Sequence, residues 1–389
     1  MRKILATAVG VLLGCALLFF LLGPGVLERS MNRVQPAAEP EVTEAARTLH
    51  SSLLVGDLHT DSSLWNRDLT HRSNQGHVDL PRLVEGNVAL QVFTSVTKSP
   101  AGQNYEENTA DARDNITLLA VTQLWPPRTW HSLAERAIYQ AGKIHHIAVA
   151  QPAQLQLVRN QVELADVLAR RASGETVVGA ILGTEGSHAL DGELANIERL
   201  YDAGLRIMGL QHFFDNALGG SLHGQSGAGL TDFGRQVVAD MLARDMIIDV
   251  AHSSEAVVRE VLAMTDKPLI VSHTGFKGQC DTARNISDDT MQAIAAEGGL
   301  IGVGYWDAAV CDVSVAGIVD AIRYGIDLVG ENHVALGSDY DGSTTTPMDT
   351  SGLLLLTAEM MARDFSETEI RKVMGENLAR LLASELPES

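Results

Sequence analysis

The sequence predicts an α/β chain whose main domain is a (β/α)8 barrel of the TIM type. Three observations predict it: eight short apolar runs, amphipathic stretches between most of them, and metal- or proton-competent side chains at the C-terminal ends of six runs. Continuous apolar runs suit parallel strands covered on both faces by helices. About eight strands, each followed by a helix, is the count of a closed barrel. An open doubly wound sheet is disfavoured, because no glycine-rich phosphate loop follows the first run.

The runs, in order, are LLVGDLHTD, VALQVFTS, TVVGAILGTEG, LRIMGLQHFFDN, MIIDVAHSS, PLIVSHTG, LIGVGYW and HVALGSDYDG. Stretches such as GLTDFGRQVVADMLARD and SSEAVVREVLAM supply helices between them, and residues 100–175 leave room for extra helices before the third strand. The chain closes on FSETEIRKVMGENLARLL, where Ser366 and Glu369 have capping-box spacing.

The N-terminus differs in kind. Arg2 and Lys3 precede an uncharged apolar stretch from Ile4 to about Leu22, the length expected of a membrane-spanning helix. A cleaved signal has a shorter apolar core and a small-residue cleavage site. A lipidated Cys15 is the alternative anchor. Residues 1–27 are therefore expected to be an anchor, the polar stretch 28–43 a linker, and 44–389 one barrel domain. The formal net charge of -20 argues against nucleic acid or anionic headgroups as partners.

His59 and Asp61, Glu185, His212, His252, His273 and Asp339 all fall at the C-terminal ends of predicted strands. That end of a barrel holds the active site, with groups drawn from several strands. Residues i and i+2 of a strand share a face, so His59 and Asp61 converge. Imidazole and carboxylate donors without cysteine suit zinc in a hydrolytic site. The set exceeds what one tetrahedral ion needs, whereas two ions bridged by a carboxylate and a hydroxide would use it. His145 and His146 read as a helix flank, His71, His77 and His223 as loop residues able to line the mouth, and Ser253 and Ser254 as an N-cap rather than a nucleophile. No G-x-S-x-G elbow is present, which disfavours a serine hydrolase.

GDLHTD, GTEGSH, IDVAHSS, VSHTG, ARNISDD, GSDYDG and GENLARLL, in this order, resemble the signature segments of the membrane dipeptidase (renal dipeptidase) family of metallopeptidases. The resemblance covers roughly residues 50–383. It implies an amidohydrolase-like barrel in which two zinc ions serve dipeptide hydrolysis. Carried over by motif, His59 and Asp61 match ligands of one zinc, Glu185 the bridging carboxylate, and His252 and His273 ligands of the other. Asp339 matches the catalytic acid–base, His212 a histidine at the scissile carbonyl, and Arg284 the arginine that grips the substrate carboxylate, a task that suits its planar fork. QHFFDNALGGSLHG and GVGYWDAAVCD depart from the family pattern where they would border the substrate. Cys280 and Cys311 lie near the ends of the sixth and seventh strands, neighbours in a barrel, and the resemblance also implies a bridge between them; two free thiols are the alternative.

The expectation is thus a single-pass, membrane-anchored zinc dipeptidase with its catalytic domain outside the cytoplasm, a bridging hydroxide as nucleophile and Asp339 as acid–base. The rivals are hydrolysis of an N-acyl amino acid, lactam or lactone at the same metals, and an inactive anchored binding protein. Side-chain preference and oligomeric state, including a homodimer, stay open at this point.

Overall fold

A computed structural model describes residues 2–389; the side chains of residues 2, 3, 5, 6, 8–13 and 15–17 lie outside those described. Its centre is a closed parallel barrel of β1 (Val55–Thr60), β2 (Val88–Val96), β3 (Val178–Glu185), β4 (Leu205–Gly209), β5 (Ile247–Asp249), β6 (Ile270–Thr274), β7 (Leu300–Val303) and β8 (Val334–Leu336). Each of the eight apolar runs supplies one strand. Neighbours pair in sequence order, β8 pairs with β1, and β2 meets β3 from Leu90↔Gly179 to Val96↔Glu185. A short strand, Leu155–Leu157, adds to the outer edge of β3.

Every strand sends at least one apolar side chain into a common buried cluster: Leu58, Leu90 with Val92, Ile181, Ile207, Ile247, Ile270, Leu300 and Ala335. Leu378, Leu381 and Leu382 of the last helix, Asn377–Glu385, join it. Leu378 packs beside Gly56, at the start of β1, so this helix covers the end of the barrel opposite the site. The long gap carries helices, as expected: Asn115–Thr122, Leu133–Ala150 and Gln161–Ala172. The capping box at Ser366 and Glu369 forms, and Ser254 caps its helix by accepting from Val257 N.

Helix α1 (Arg2–Met31) covers the stretch read as a membrane anchor. Many of that stretch's side chains lie outside those described, and among the described residues no helix is long and apolar enough to cross a membrane. The expected crossing is thus not shown. The far end of α1 does dock on the barrel. Arg67 Nε forms an ion pair with Glu28 Oε1 at 2.8 Å, Ser343 N donates to Asn32 Oδ1 at 2.8 Å, and Arg33–Val34 pairs in parallel with Thr345–Thr346. Residues 28–35, within the stretch read as linker, therefore grip the turn that follows β8.

Candidate metal and active site

The seven strand-end groups converge at one mouth of the barrel. Glu185, the last residue of β3, is the hub. Its Oε1 lies 3.2 Å from His252 Nε2, 3.3 Å from His273 Nε2 and 3.8 Å from His59 Nε2. Its Oε2 lies 3.3 Å from His212 Nε2. His59 Nε2 is 3.5 Å from Asp61 Oδ1 and 3.9 Å from Asp339 Oδ1. His59, Asp61 and Glu185 form one group able to hold a cation; Glu185, His212 and His252 form another; His59, His273 and Asp339 form a third.

The local chain explains the aim of these groups. His252 and Asp339 lie just past β5 and β8 with φ of 62° and 56°, left-handed conformations that turn the side chains back over the barrel. A Cβ on Gly342 would collide with the Asp339 carboxylate, so the turn admits only glycine there. Asp57, buried within β1, accepts from His59 N at 2.9 Å and from Ser338 N at 3.1 Å, tying β1 to the end of β8. Ser272 Oγ lies 3.1 Å from His59 Nδ1 and 2.9 Å from His273 Nδ1, and Thr94 Oγ1 donates to Asp61 Oδ1 at 2.6 Å. Such partners fix ring orientation and sharpen a metal site. Sequence reading missed Asp57, Ser272 and Thr94, because isolated hydroxyls and a strand-start aspartate carry no local signal.

The electrostatics fit divalent cations. Burial holds His252 and His273 well below the usual imidazole range, so both present the neutral nitrogen that metals bind. Their Nε2 atoms lie only 3.0 Å apart, facing the same carboxylate oxygen. Burial opposes charge on His59, yet Asp61, Glu185 and Asp339 outweigh it and raise the ring to about 10. The cluster thus attracts positive charge. Burial, then Asp61, pushes Glu185 well above the carboxylate range. Burial also lifts Asp339 to about 8, against the pull of His59.

Arg284 is fully buried. It donates to His273 O at 2.7 Å and lies 5.2 Å from the centre of the Trp306 ring. Among the described residues no carboxylate comes within ion-pair range of it, so it faces the cavity as an unmatched cation. That cavity, about 340 Å³, is lined by Asp61, Glu185, His212, His252, Arg284 and Asp339, with Phe213 and Trp306 at its rim. Both departures from the family pattern thus put an aromatic ring on the site.

Of the histidines read as bystanders, His145 donates to Ala203 O and His71 is exposed beside Asp68, both away from the cavity. His77 stacks on Tyr340 and joins the 33 and 341 backbones. His223 packs between Phe213 and His252, behind the site. Cys280 and Cys311 form a disulfide, which ties the loop carrying Arg284 to the loop after β7.

A family profile described as membrane dipeptidase, peptidase family M19, matches residues 43–386. The mouse protein Dipeptidase 3 is 26% identical over 375 residues, spanning 88% of this chain and 67% of its own length. The fold is shared with the probable dipeptidase PvdM from Pseudomonas aeruginosa (TM-score 0.73, 19% identity, 90% of this chain and 99% of that one). It is shared too with a metallopeptidase from Rhodobacter sphaeroides solved with a phosphinate mimic of the dipeptide L-Ala-D-Ala (TM-score 0.68, 23% identity, 86% and 99%). With a match across nearly the whole barrel and a metal-competent cluster at its mouth, the chain belongs to the membrane dipeptidase family, M19, and is a metal-dependent peptide hydrolase.

Proposed function

We propose that this protein is a membrane-anchored dipeptidase that uses two zinc ions, and that free dipeptides are its substrates. The unmatched Arg284 guanidinium, buried beside the carboxylate–histidine cluster, carries this reading. A buried cation without a partner is costly, and the C-terminal carboxylate of a dipeptide would neutralise it through a two-pronged grip. His59, Asp61 and Glu185 would hold one ion, and Glu185, His252 and His273 the other. When bound, the ions would acidify a water and polarise the scissile carbonyl.

The chain's own residues then do the rest. Arg284 fixes the substrate's far end and so sets the scissile bond over Glu185. Asp339, in its carboxylate form and 3.9 Å from His59, takes the proton of the attacking water and passes it to the leaving amine as the C–N bond breaks. His212 donates Nδ1–H to Lys98 O at 3.0 Å, and burial lowers the ring to about 4. Its Nε2 is therefore an acceptor, better suited to a substrate N–H than to an oxyanion.

Residues 4–22 would anchor the protein, with the barrel outside the cytoplasm. The Cys280–Cys311 disulfide supports that side of the membrane, because such bonds persist in oxidising compartments. Retention after alkaline carbonate washing, with Met1 intact, tests the helix anchor; a new N-terminus at Cys15 would replace it with a lipid. Turnover of a dipeptide against its C-terminal amide tests the substrate. The amide should be slower by a factor on the order of 10²–10³, the cost of leaving a buried charge unpaired. Equal turnover would remove Arg284 from the mechanism and favour another amide hydrolase.

A further inference from the structure

The cavity over the metal-competent cluster is not built by the barrel alone. Leu27 and Met31, at the C-terminal end of α1, line it together with Asp61, Glu185, Arg284 and Asp339. Both are large apolar side chains left 42% and 37% exposed, which is unusual for residues so close to a docked segment. They extend an apolar wall made by Leu64, Trp65, Ile116 and Leu119, and α1 packs against the helix Asn115–Thr122 that carries the last two.

The two sides of the cavity differ in chemistry. Arg284 enters it from the β6–β7 side, whereas Leu64 and Trp65 follow β1 and Val96 ends β2. A dipeptide with its carboxylate on Arg284 and its scissile carbonyl at the cluster must extend its amino-terminal residue towards the apolar side. We propose that Leu27 and Met31 select the side chain of the substrate's amino-terminal residue, so that the segment ahead of the barrel is part of the active site. This rests on the dipeptidase reading above.

The segment is held firmly enough for that task. Glu28 and Asn32 are buried. Arg67 bridges Glu28 to Asp341, and Gln75 Nε2 donates to Glu28 Oε2 at 2.9 Å. His77 accepts from Asp341 N at 3.0 Å through Nδ1 and, through Nε2, donates to Arg33 O at 3.1 Å. These bonds fix Leu27 and Met31 in register with the turn that presents Asp339. An amino-terminal side chain of the substrate would bury its apolar surface against them.

The test uses the full-length protein in detergent, loaded with zinc, and the ratio of kcat/KM for Phe-Ala to that for Ala-Ala. Leu27→Trp narrows the apolar side and should lower this ratio at least tenfold, within the range a hydrophobic pocket discriminates. The double variant Leu27→Ala/Met31→Ala should also shift the ratio about tenfold, because the wall that contacts the larger side chain is gone. The matching ratio for Ala-Phe over Ala-Ala should move less than about twofold in each variant. Leu118→Ala, at a 61% exposed position of the neighbouring helix, serves as the control. Should the alanine pair melt below the parent, Leu27→Trp, which removes no contact, carries the test. Unchanged Phe-Ala preference in an active parent and in Leu27→Trp would overturn the inference and leave the dipeptidase reading standing. A zinc-loaded parent that cleaves no dipeptide would overturn both.

Discussion

The floor and the roof of the cavity are built in opposite ways. The floor comes from the ends of six barrel strands, and its histidines and carboxylates are almost wholly buried. The roof comes from a helix that precedes the barrel, and its two apolar side chains stay partly exposed. Floor groups are positioned by many strands at once, so none can move alone. Roof groups depend on one salt-bridged segment, residues 27–35. The contrast separates two requirements, with chemistry resting on groups held by the barrel strands and the proposed selection on a segment held by its own ion pairs.

The comparison is broken most severely at the floor. Glu185→Ala or His252→Ala should lose bound metal and all measurable turnover, because Glu185 lies against His59, His212, His252 and His273 and His252 offers a neutral nitrogen. Metal content and kcat on the same preparation check this. Asp339→Asn is a gentler probe, since an amide keeps the shape but cannot take the proton. It should retain metal while kcat falls by a factor on the order of 10²–10⁴. Loss of metal instead would make Asp339 a ligand.

At the roof, Arg67→Met strands the Glu28 and Asp341 carboxylates in a buried setting without their shared cation. Stability should fall by about 3–5 kcal/mol, read from urea unfolding. An unchanged midpoint would mean that the roof is not clamped. The Cys280→Ser/Cys311→Ser variant probes the floor's Arg284 side. Opening a bridge of sequence separation 31 should cost about 2–4 kcal/mol, and KM for dipeptides should rise more than kcat falls.

The smallest effect is a pH slope. Burial lifts Glu28 from 4.5 to about 7, Arg67 opposing it only in part. Asp341 lies on the same guanidinium and is held well below the carboxylate range, so Glu28 is the weaker partner. The folded chain therefore keeps a proton that the unfolded chain releases. Stability should fall as pH rises from 4.5 to 7 and level off above that. Glu28→Gln should flatten this part of the Tm profile, and an unaltered slope would assign it to other groups.

The floor was legible in the sequence and the roof was not, for a physical reason. A strand's period and apolar run announce where it ends, so His59, Glu185 and His273 declare their shared face before any contact is known. The family resemblance then supplied Arg284 and the Cys280–Cys311 pairing, which spacing alone left open. Leu27 reads as the tail of an apolar run, and Glu28 to Met31 as the start of a polar linker. Only tertiary placement brings them to the cavity. Ser272 and Thr94 were missed likewise, because a hydroxyl becomes a ring-orienting partner only through its neighbours.

The backbone at His252 and Asp339 has a consequence for evolution and engineering. A non-glycine residue in the left-handed region costs about 1–2 kcal/mol, and both site residues occupy it. The catalytic mouth is therefore a place where the fold gives up stability. A search for more heat-resistant variants would be drawn to these very positions, since glycine at Asp339 relieves both the backbone and a desolvated carboxylate. Selection for robustness and selection for turnover pull in opposite directions on the same residue, and the rest of the barrel must hold enough surplus stability to let turnover win.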